Sequence, residues 1–451
     1  MLESGESTWA RISGENECTL RLLLLLIPHR KGLLSEHGID TSGRSNSASD
    51  LQLERRGVYF NNTEVDYYIP RAIVTDLEPI TRERLNENTI HELLPGQNKI
   101  YGQSGCYNNW AKGFYSADAG EVTEKALDAL RCEAEQCDSL QGIQMTHSIF
   151  AGTGGGMGSL LLSRLTEEYP EIHQMTSSVM PTYSVDDGCV IRPYNAVLSL
   201  QYLAEHADLT WLFSHWAMNN KIVYQLKMDN SWALYNRIIS DITSGATTSL
   251  RFPTEQGSDL TRFIMNLVPT SPRLHFLTSA MAPVYTSQAH TNSVKMTTTQ
   301  LARELCQDRM WTMSCNQPRS QVHGRCLAYS AIFRGPNASV NDIGQFFQNA
   351  RDRTSPDFVE WMPANAHLHV SPVAAAGYNS ETAAFGIGNF TSVIEELEDT
   401  LQMFDTLLKR KSFLHFYTDH GMDQMEFVDA ASIMTDLIEE YKMAESDTIT
   451  Q

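Results

Sequence analysis

Apolar and polar positions recur along this chain with periods that change from region to region. Residues 143–149 alternate apolar and polar, the period of a strand. Met157, Leu160, Leu161 and Leu165 follow at helical spacing until Pro170 ends the run. From residue 35 to 214, short apolar runs alternate with amphipathic stretches, which predicts βα units around a mostly parallel sheet. A mixed region at 215–389 holds strand-like runs at 327–333 and 358–362. The remainder, 390–451, is helical by period. Ile394, Leu397, Leu401, Phe404 and Leu408 step by threes and fours, as do Phe427, Ala430, Met434, Leu437 and Tyr441.

Residues 1–34 stand apart, polar at first and then leucine-rich. The apolar run at 20–27 is broken by Arg21 and closed by Pro28, too short for the ~20 apolar residues of a membrane span. Glu3, Glu6, Glu15 and Glu17 precede it, the wrong sign for a secretion signal. Residues 22–27 fit a strand. The alternative is that this stretch is not the working start of the chain.

Composition narrows the partners. The 451 residues carry 54 acids against 34 bases, a formal charge of −20. Nucleic acid demands a basic face, so it is excluded as a partner, and an anionic membrane is disfavoured by the same sign. Basic partners fit. Eight scattered cysteines without a CxxC pair match a reducing compartment, so the cytoplasm is the expected location.

Between the strand at 143–149 and the following helix lies Ser148-Ile149-Phe150-Ala151-Gly152-Thr153-Gly154-Gly155-Gly156-Met157-Gly158. Glycines here let backbone N–H groups approach a phosphate, and the helix N-terminus adds positive charge. Close strand–helix packing alone also calls for glycine. A P-loop needs a lysine, and none is present. A dinucleotide fingerprint fails because Met157 or Ser159 stands where its last glycine belongs, and because the loop lies far beyond a first βα turn. An NAD-dependent dehydrogenase is disfavoured accordingly. No HExxH, Gly-x-Ser-x-Gly or metal-ligand cluster supports a hydrolase or metalloenzyme.

The loop resembles the lysine-free phosphate loop of the tubulin and FtsZ superfamily, with Phe150 and Ala151 replacing its first two glycines. Asp50-Leu51-Gln52-Leu53-Glu54-Arg55, Gly102-Gln103-Ser104-Gly105, Asn108-Asn109-Trp110-Ala111-Lys112-Gly113, Pro193-Tyr194-Asn195, Arg273-Leu274-His275-Phe276 and Arg410-Lys411-Ser412-Phe413-Leu414-His415 resemble tubulin segments in tubulin order. Phe358-Val359-Glu360-Trp361-Met362-Pro363 and Met422-Asp423-Gln424-Met425-Glu426-Phe427 are nearest to β-tubulin. A divergent β-tubulin-like chain is therefore the reading. The resemblance implies an α/β fold: a Rossmann-like GTPase domain with a parallel sheet, an α+β intermediate domain joined by a central helix, and a C-terminal helical hairpin. The divisions expected are 1–34, 35–214, 215–389 and 390–451. It further implies GTP or GDP with Mg²⁺, assembly with α-tubulin into cytoskeletal microtubules, those of cilia included, and GTP hydrolysis completed by an α-type partner.

Carried over residue by residue, the resemblance places Asn108, Ser148, Gly152, Thr153 and Gly154 at the phosphates. It places Glu78, within Thr75-Asp76-Leu77-Glu78-Pro79, at Mg²⁺, an ion suited to carboxylate and phosphate oxygens. Asp187 is implied at the ribose, and His215, Trp232 and Asn236 at the guanine. Some positions depart from the pattern. Cys106 and Tyr107 replace Ala-Gly, and the Tyr107 ring is expected to crowd the phosphates. Arg192 replaces a glutamate, and His215 replaces an asparagine without offering its amide donor–acceptor pair. Trp232 can stack on a base as a tyrosine does.

Arg262 follows Asp259-Leu260-Thr261, where α-type chains carry the acid that positions water on a neighbour's phosphate. A cation there would steady that phosphate instead. Nothing in 1–34 resembles the family's first phosphate loop. These departures leave a second reading open, a nucleotide-poor structural paralogue of specialised microtubules. Residues 422–451 hold eight acids against one base, Lys442, without a glutamate-rich tail. Basic associated proteins or motors are therefore expected to dock on a helix.

Overall fold

The computed structural model describes residues 17–23, 27–46, 49–64, 66–79, 92–181, 189–223, 232–253, 259–268, 271–284, 296–306, 310–313, 324–336, 338, 343, 358–359, 361, 366–375 and 382–446. Ten strands form one sheet. From one edge to the other they are β5 (Lys99–Tyr101), β4 (Ala72–Asp76), β1 (Glu17–Leu23), β6 (Ser139–Ser148), β7 (His173–Met180), β8 (Leu209–Ser214), β9 (Phe276–Ala282), β12 (Ala383–Phe390), β10 (Cys326–Arg334) and β11 (Ala366–Ser371). The first seven run parallel. β12 is antiparallel to both its neighbours, and β10 and β11 are parallel to each other. A separate antiparallel hairpin joins β2 (Phe60–Glu64) to β3 (Tyr67–Pro70).

The expected mixed α/β architecture with a mostly parallel sheet is present. Helices cover both faces, so β8 and β9 are buried along their whole length, as parallel strands must be. The same is true of β6 from Gly142 onwards. The alternation at 143–149 therefore sorts side chains between two covered faces, not between core and solvent. Ile143 and Met145 join one hydrophobic cluster, whereas Gln144 turns the other way and accepts from the Tyr59 hydroxyl at 3.2 Å.

The leucine-rich start differs from expectation. The strand lies at β1, and by Ile27 the chain has entered α1 (Ile27–Glu36). Pro28 suits the first turn of a helix, where its missing N–H costs nothing. β1 pairs with β6 from Glu17↔Ser139 to Leu23↔Thr146 and with β4 at Arg21↔Ala72. From β1 the chain proceeds outward to β4 and β5, then returns to β6 on the other side of β1. Ligands of open α/β sheets bind beyond the C-terminal strand ends at such a reversal.

The helices that matter to the site are α2 (Trp110–Tyr115), α3 (Ala117–Glu135), α4 (Gly158–Glu168), α5 (Arg192–His206), α6 (Trp232–Ala246) and α7 (Leu260–Leu267). α8 (Thr298–Leu305) packs beside β9 and β12. α9 (Val393–Lys409) and α10 (Gln424–Glu445) follow, and the Lys442–Glu398 ion pair, joining the end of one to the start of the other, makes them an antiparallel hairpin. Phe427, Ala430, Met434, Leu437 and Tyr441 are buried as their spacing predicts. The hairpin packs on α5 through edge-to-face contacts of Tyr194 with Phe404 and Phe427. Of 358–362, Phe358 forms a single bridge with Cys326.

Candidate functional site

The glycine loop leaves the C-terminal end of β6 and winds as a π-helical turn over Gly152–Met157 before α4 begins. Such turns concentrate at functional sites. Its floor is the end of β6. His147 Nδ1 lies 2.7 Å from the Gly154 carbonyl and Nε2 lies 2.8 Å from Ser178 Oγ. A carbonyl only accepts, so Nδ1 carries the proton and Nε2 accepts from the serine. Complete burial holds His147 neutral, its pKa lowered to about 4. The Ser148 hydroxyl is buried and has no hydrogen-bond partner. A buried hydroxyl left unmade costs stability, and this one stands at the end of β6 where the glycine loop begins.

A second loop, residues 102–109, meets the first. A Cβ on Gly152 would lie 2.5 Å from Cys106 Sγ and 2.8 Å from the Asn109 backbone, so the two loops touch with no side chain between them. Cys106 Sγ is 3.1 Å from Thr153 Oγ1. Burial pushes the Cys106 thiol up to about 11, with the charges of Glu78 and Asp76 acting in the same direction, so it stays a neutral thiol. Glu78 packs on the same loop: a Cβ on Gly105, which has φ +57°, would fall 2.5 Å from both its carboxylate oxygens. Tyr107 and Asn108 both take left-handed backbone conformations, φ 50° and 58°. Such strain persists only where surroundings enforce it. The Tyr107 ring does not crowd the loops; it is 79% exposed, with Lys112 Nζ 4.5 Å from its centroid.

Asn195, in the first turn of α5, supplies that enforcement. Its Nδ2 donates to the Asn108 carbonyl at 2.7 Å and to the Phe150 carbonyl at 2.9 Å. Its Oδ1 accepts from the Trp110 N–H at 3.2 Å and the Tyr417 hydroxyl at 2.6 Å. Both donors and both lone pairs of the amide are used. One side chain thus fixes both loops and ties them to the turn before α10.

Beyond the loop, Phe150 takes the Arg192 guanidinium over its ring at 5.2 Å. His215, at the end of β8, meets Phe150 edge-on with ring centroids 6.2 Å apart and lies 5.4 Å from the Tyr235 ring of α6. Asn236 follows Tyr235 and is half-buried. Asp187 lies outside the described residues, as does the Trp232 side chain, although Trp232 opens α6. The structure therefore brings Glu78, Asn108, Ser148, Gly152, Thr153 and Gly154 together, with His215 one ring away.

Two family models match the chain. The GTPase domain of the Tubulin/FtsZ family covers residues 30–223, and the Tubulin C-terminal domain covers residues 272–402. The chain belongs to the tubulin superfamily. Both loops, Asn195 and His215 lie within the matched GTPase domain, which makes GTP or GDP its nucleotide class and other tubulin subunits its natural assembly partners. β1 precedes the match yet lies within the sheet, third from one edge between β4 and β6. No helix among the described residues is long and apolar enough to cross a membrane. Among those residues, no group of three or more His, Cys, Asp or Glu side chains is placed to hold a metal.

Arg262 occupies the other end of the molecule. The Leu260 N–H donates to Gln141 Oε1 at 3.2 Å, and Thr261 Oγ1 is 3.1 Å from His173 Nε2. Gln141 and His173 stand near the N-terminal starts of β6 and β7, whereas the glycine loop leaves the opposite end of β6. Asn195 and His147 are the residues that sequence reasoning left without a role. Their only signals were membership of a family segment for Asn195 and adjacency to the glycine loop for His147.

Proposed function

We propose that this chain is a GTP-binding, β-like tubulin subunit that joins α-tubulin head to tail in microtubules. What supports it is the pair of loops locked by Asn195 at the reversal of strand order, with the Ser148 hydroxyl buried and unpartnered beneath them. Backbone N–H groups of the two loops would hold the phosphates, with Thr153 adding its hydroxyl. Glu78 would hold Mg²⁺ together with phosphate oxygens. Mg²⁺ takes one or two carboxylates plus phosphate and water, so a single acid on the loop fits it. Bound there, the ion would neutralise phosphate charge that this chain otherwise meets with backbone dipoles and hydroxyls.

Hydrolysis of the nucleotide is assigned to an α-type partner, because this chain presents Arg262, a cation, where an acid would position water. The chain divides functionally into a nucleotide-binding region at 35–214, a central helix with intermediate domain at 215–389, and a C-terminal helical region from 390. Glu398, Asp399, Asp429, Asp436 and Glu439 are exposed on α9 and α10 and offer a docking face to basic associated proteins or motors. Microtubules of the cytoplasm, or of a cilium, are the proposed setting.

Calorimetric titration of the full-length, nucleotide-stripped chain with GTP in Mg²⁺ buffer tests this reading. Binding at about one GTP per chain is expected, and the thermal midpoint should then rise with GTP concentration by mass action. Absence of binding would instead favour the nucleotide-poor paralogue, a reading that the Cys106 thiol against Thr153 already supports.

A further inference from the structure

The glycine loop is pinned at one peptide unit. The Gly154 carbonyl accepts from His147 Nδ1 at 2.7 Å, and the N–H of that same unit, belonging to Gly155, donates to the Ala151 carbonyl at 3.0 Å. A peptide unit is planar, so holding both its ends fixes the direction in which the turn faces. The imidazole also meets the far end of the turn, where a Cβ on Gly158 would lie 3.0 Å from Nδ1. The ring itself has nowhere to go. It is fully buried, its backbone pairs with Ser178 between β6 and β7, and Ser178 Oγ lies 2.8 Å from Nε2.

A neutral imidazole carries one proton, and burial keeps this ring neutral. The Gly154 carbonyl claims that proton for Nδ1, which leaves Nε2 to accept from Ser178. A donor is therefore required at the δ position of residue 147; a donor at the ε position would face Ser178 and leave the Gly154 carbonyl unheld. A loop released at Gly154 would sample other shapes, and apparent affinity falls with the fraction of chains in the competent one. Resting on the nucleotide-binding reading above, we propose that His147 is a positioning residue for phosphate binding. Without touching the nucleotide, its Nδ1–H sets the peptide orientation in which the loop's N–H groups meet the phosphates.

Two substitutions separate this role from simple packing. His147→Asn keeps an amide donor at the δ position, whereas His147→Gln moves it to the ε position. Each full-length chain, stripped of nucleotide, is titrated calorimetrically with GTP and with inorganic tripolyphosphate in Mg²⁺ buffer, and its stability is measured in urea. Both variants should lose stability, because both lose the ring. His147→Gln should bind each ligand about tenfold more weakly than the unaltered chain, the size of one net hydrogen bond, and His147→Asn should stay within about threefold of it. Equal affinities in the two variants, whether kept or weakened, would overturn the proposal and leave the GTP-binding reading standing. An unaltered chain that binds neither ligand would overturn both. Should a variant not fold, the histidine nitrogen spectrum of the unaltered chain decides, with tripolyphosphate carrying Mn²⁺ in place of Mg²⁺. The histidine broadened most by the ion should be protonated on Nδ1, and protonation on Nε2 there would overturn the proposal.

Discussion

Asn195 concentrates the candidate site into one side chain. Its four hydrogen bonds reach partners 45, 85, 87 and 222 residues away in sequence. The segment Pro193-Tyr194-Asn195 was legible as a family mark, but a clamp defined wholly by distant partners has no local signal. The glycine loop differs: its chemistry follows from adjacent residues, so Ser148, Gly152, Thr153 and Gly154 were readable directly. Replacing Asn195 with Ala would strand a buried Trp110 N–H and leave the Tyr417 hydroxyl only the Ile191 carbonyl at 3.4 Å, while freeing both loops. We expect a loss of about 2–3 kcal/mol in urea unfolding, the range for buried groups left unpaired. A loss below about 0.5 kcal/mol, the size of an ordinary surface change, would show that the loops are held by other contacts.

Among elements, those with a strong period were read correctly. α10 buries the residues its spacing named. The run at 20–27 was misplaced because uniform leucine carries no period to separate strand from helix. Charges buried between elements were invisible for another reason: they are brought together by the fold alone. Glu36 of α1 pairs with Arg251 at 2.7 Å and with Arg334 of β10 at 2.9 Å, and accepts from Ser244 of α6 at 2.9 Å. Beside them burial lowers the His37 pKa to about 3, as it lowers that of His147 to about 4.

Both histidines are neutral when folded and titrate near 6.5 when unfolded. Their stabilising contribution is complete above pH 6.5 and is lost as pH falls towards 4 and 3, by about 1.4 kcal/mol per pH unit for each. Asp241 on α6 runs the other way. Burial raises its pKa to about 7, so its contribution grows as pH falls from 7 and offsets one histidine. A net decline in unfolding free energy from pH 6.5 to 4.5 is expected from urea melts at stepped pH. His147→Gln, which cannot titrate, should make that decline shallower. An unchanged slope would mean that His147 is not neutral and buried in solution.

At the scale of the whole molecule, the geometry separates the two ends that polymer chemistry needs. Gly142 and Ser148 lie at opposite ends of β6, about 20 Å apart at ~3.3 Å per residue. The Leu260 side chain of α7 abuts Gly142, and the phosphate loop begins at Ser148. Arg262, in the first turn of α7, therefore cannot reach this chain's own phosphates. In the head-to-tail assembly proposed above, α7 would instead meet the glycine loop of a neighbouring subunit. Burial first, and the nearby Arg262 charge after it, lower the pKa values of His367 and His369 on the edge strand, which places both imidazoles near Arg262. In a mixed polymer, Arg262 should hold the phosphate of the α-type neighbour without activating water. Arg262→Glu reverses the charge and installs a base at the same place. The nucleotide on the α-type subunit, measured as GDP formed per polymerised subunit, should then turn over at least about tenfold faster, short of the ~10² that a well-placed general base contributes. If the variant polymerises and that GDP fraction does not change, Arg262 does not face a neighbour's phosphate and the head-to-tail role assigned to α7 is wrong.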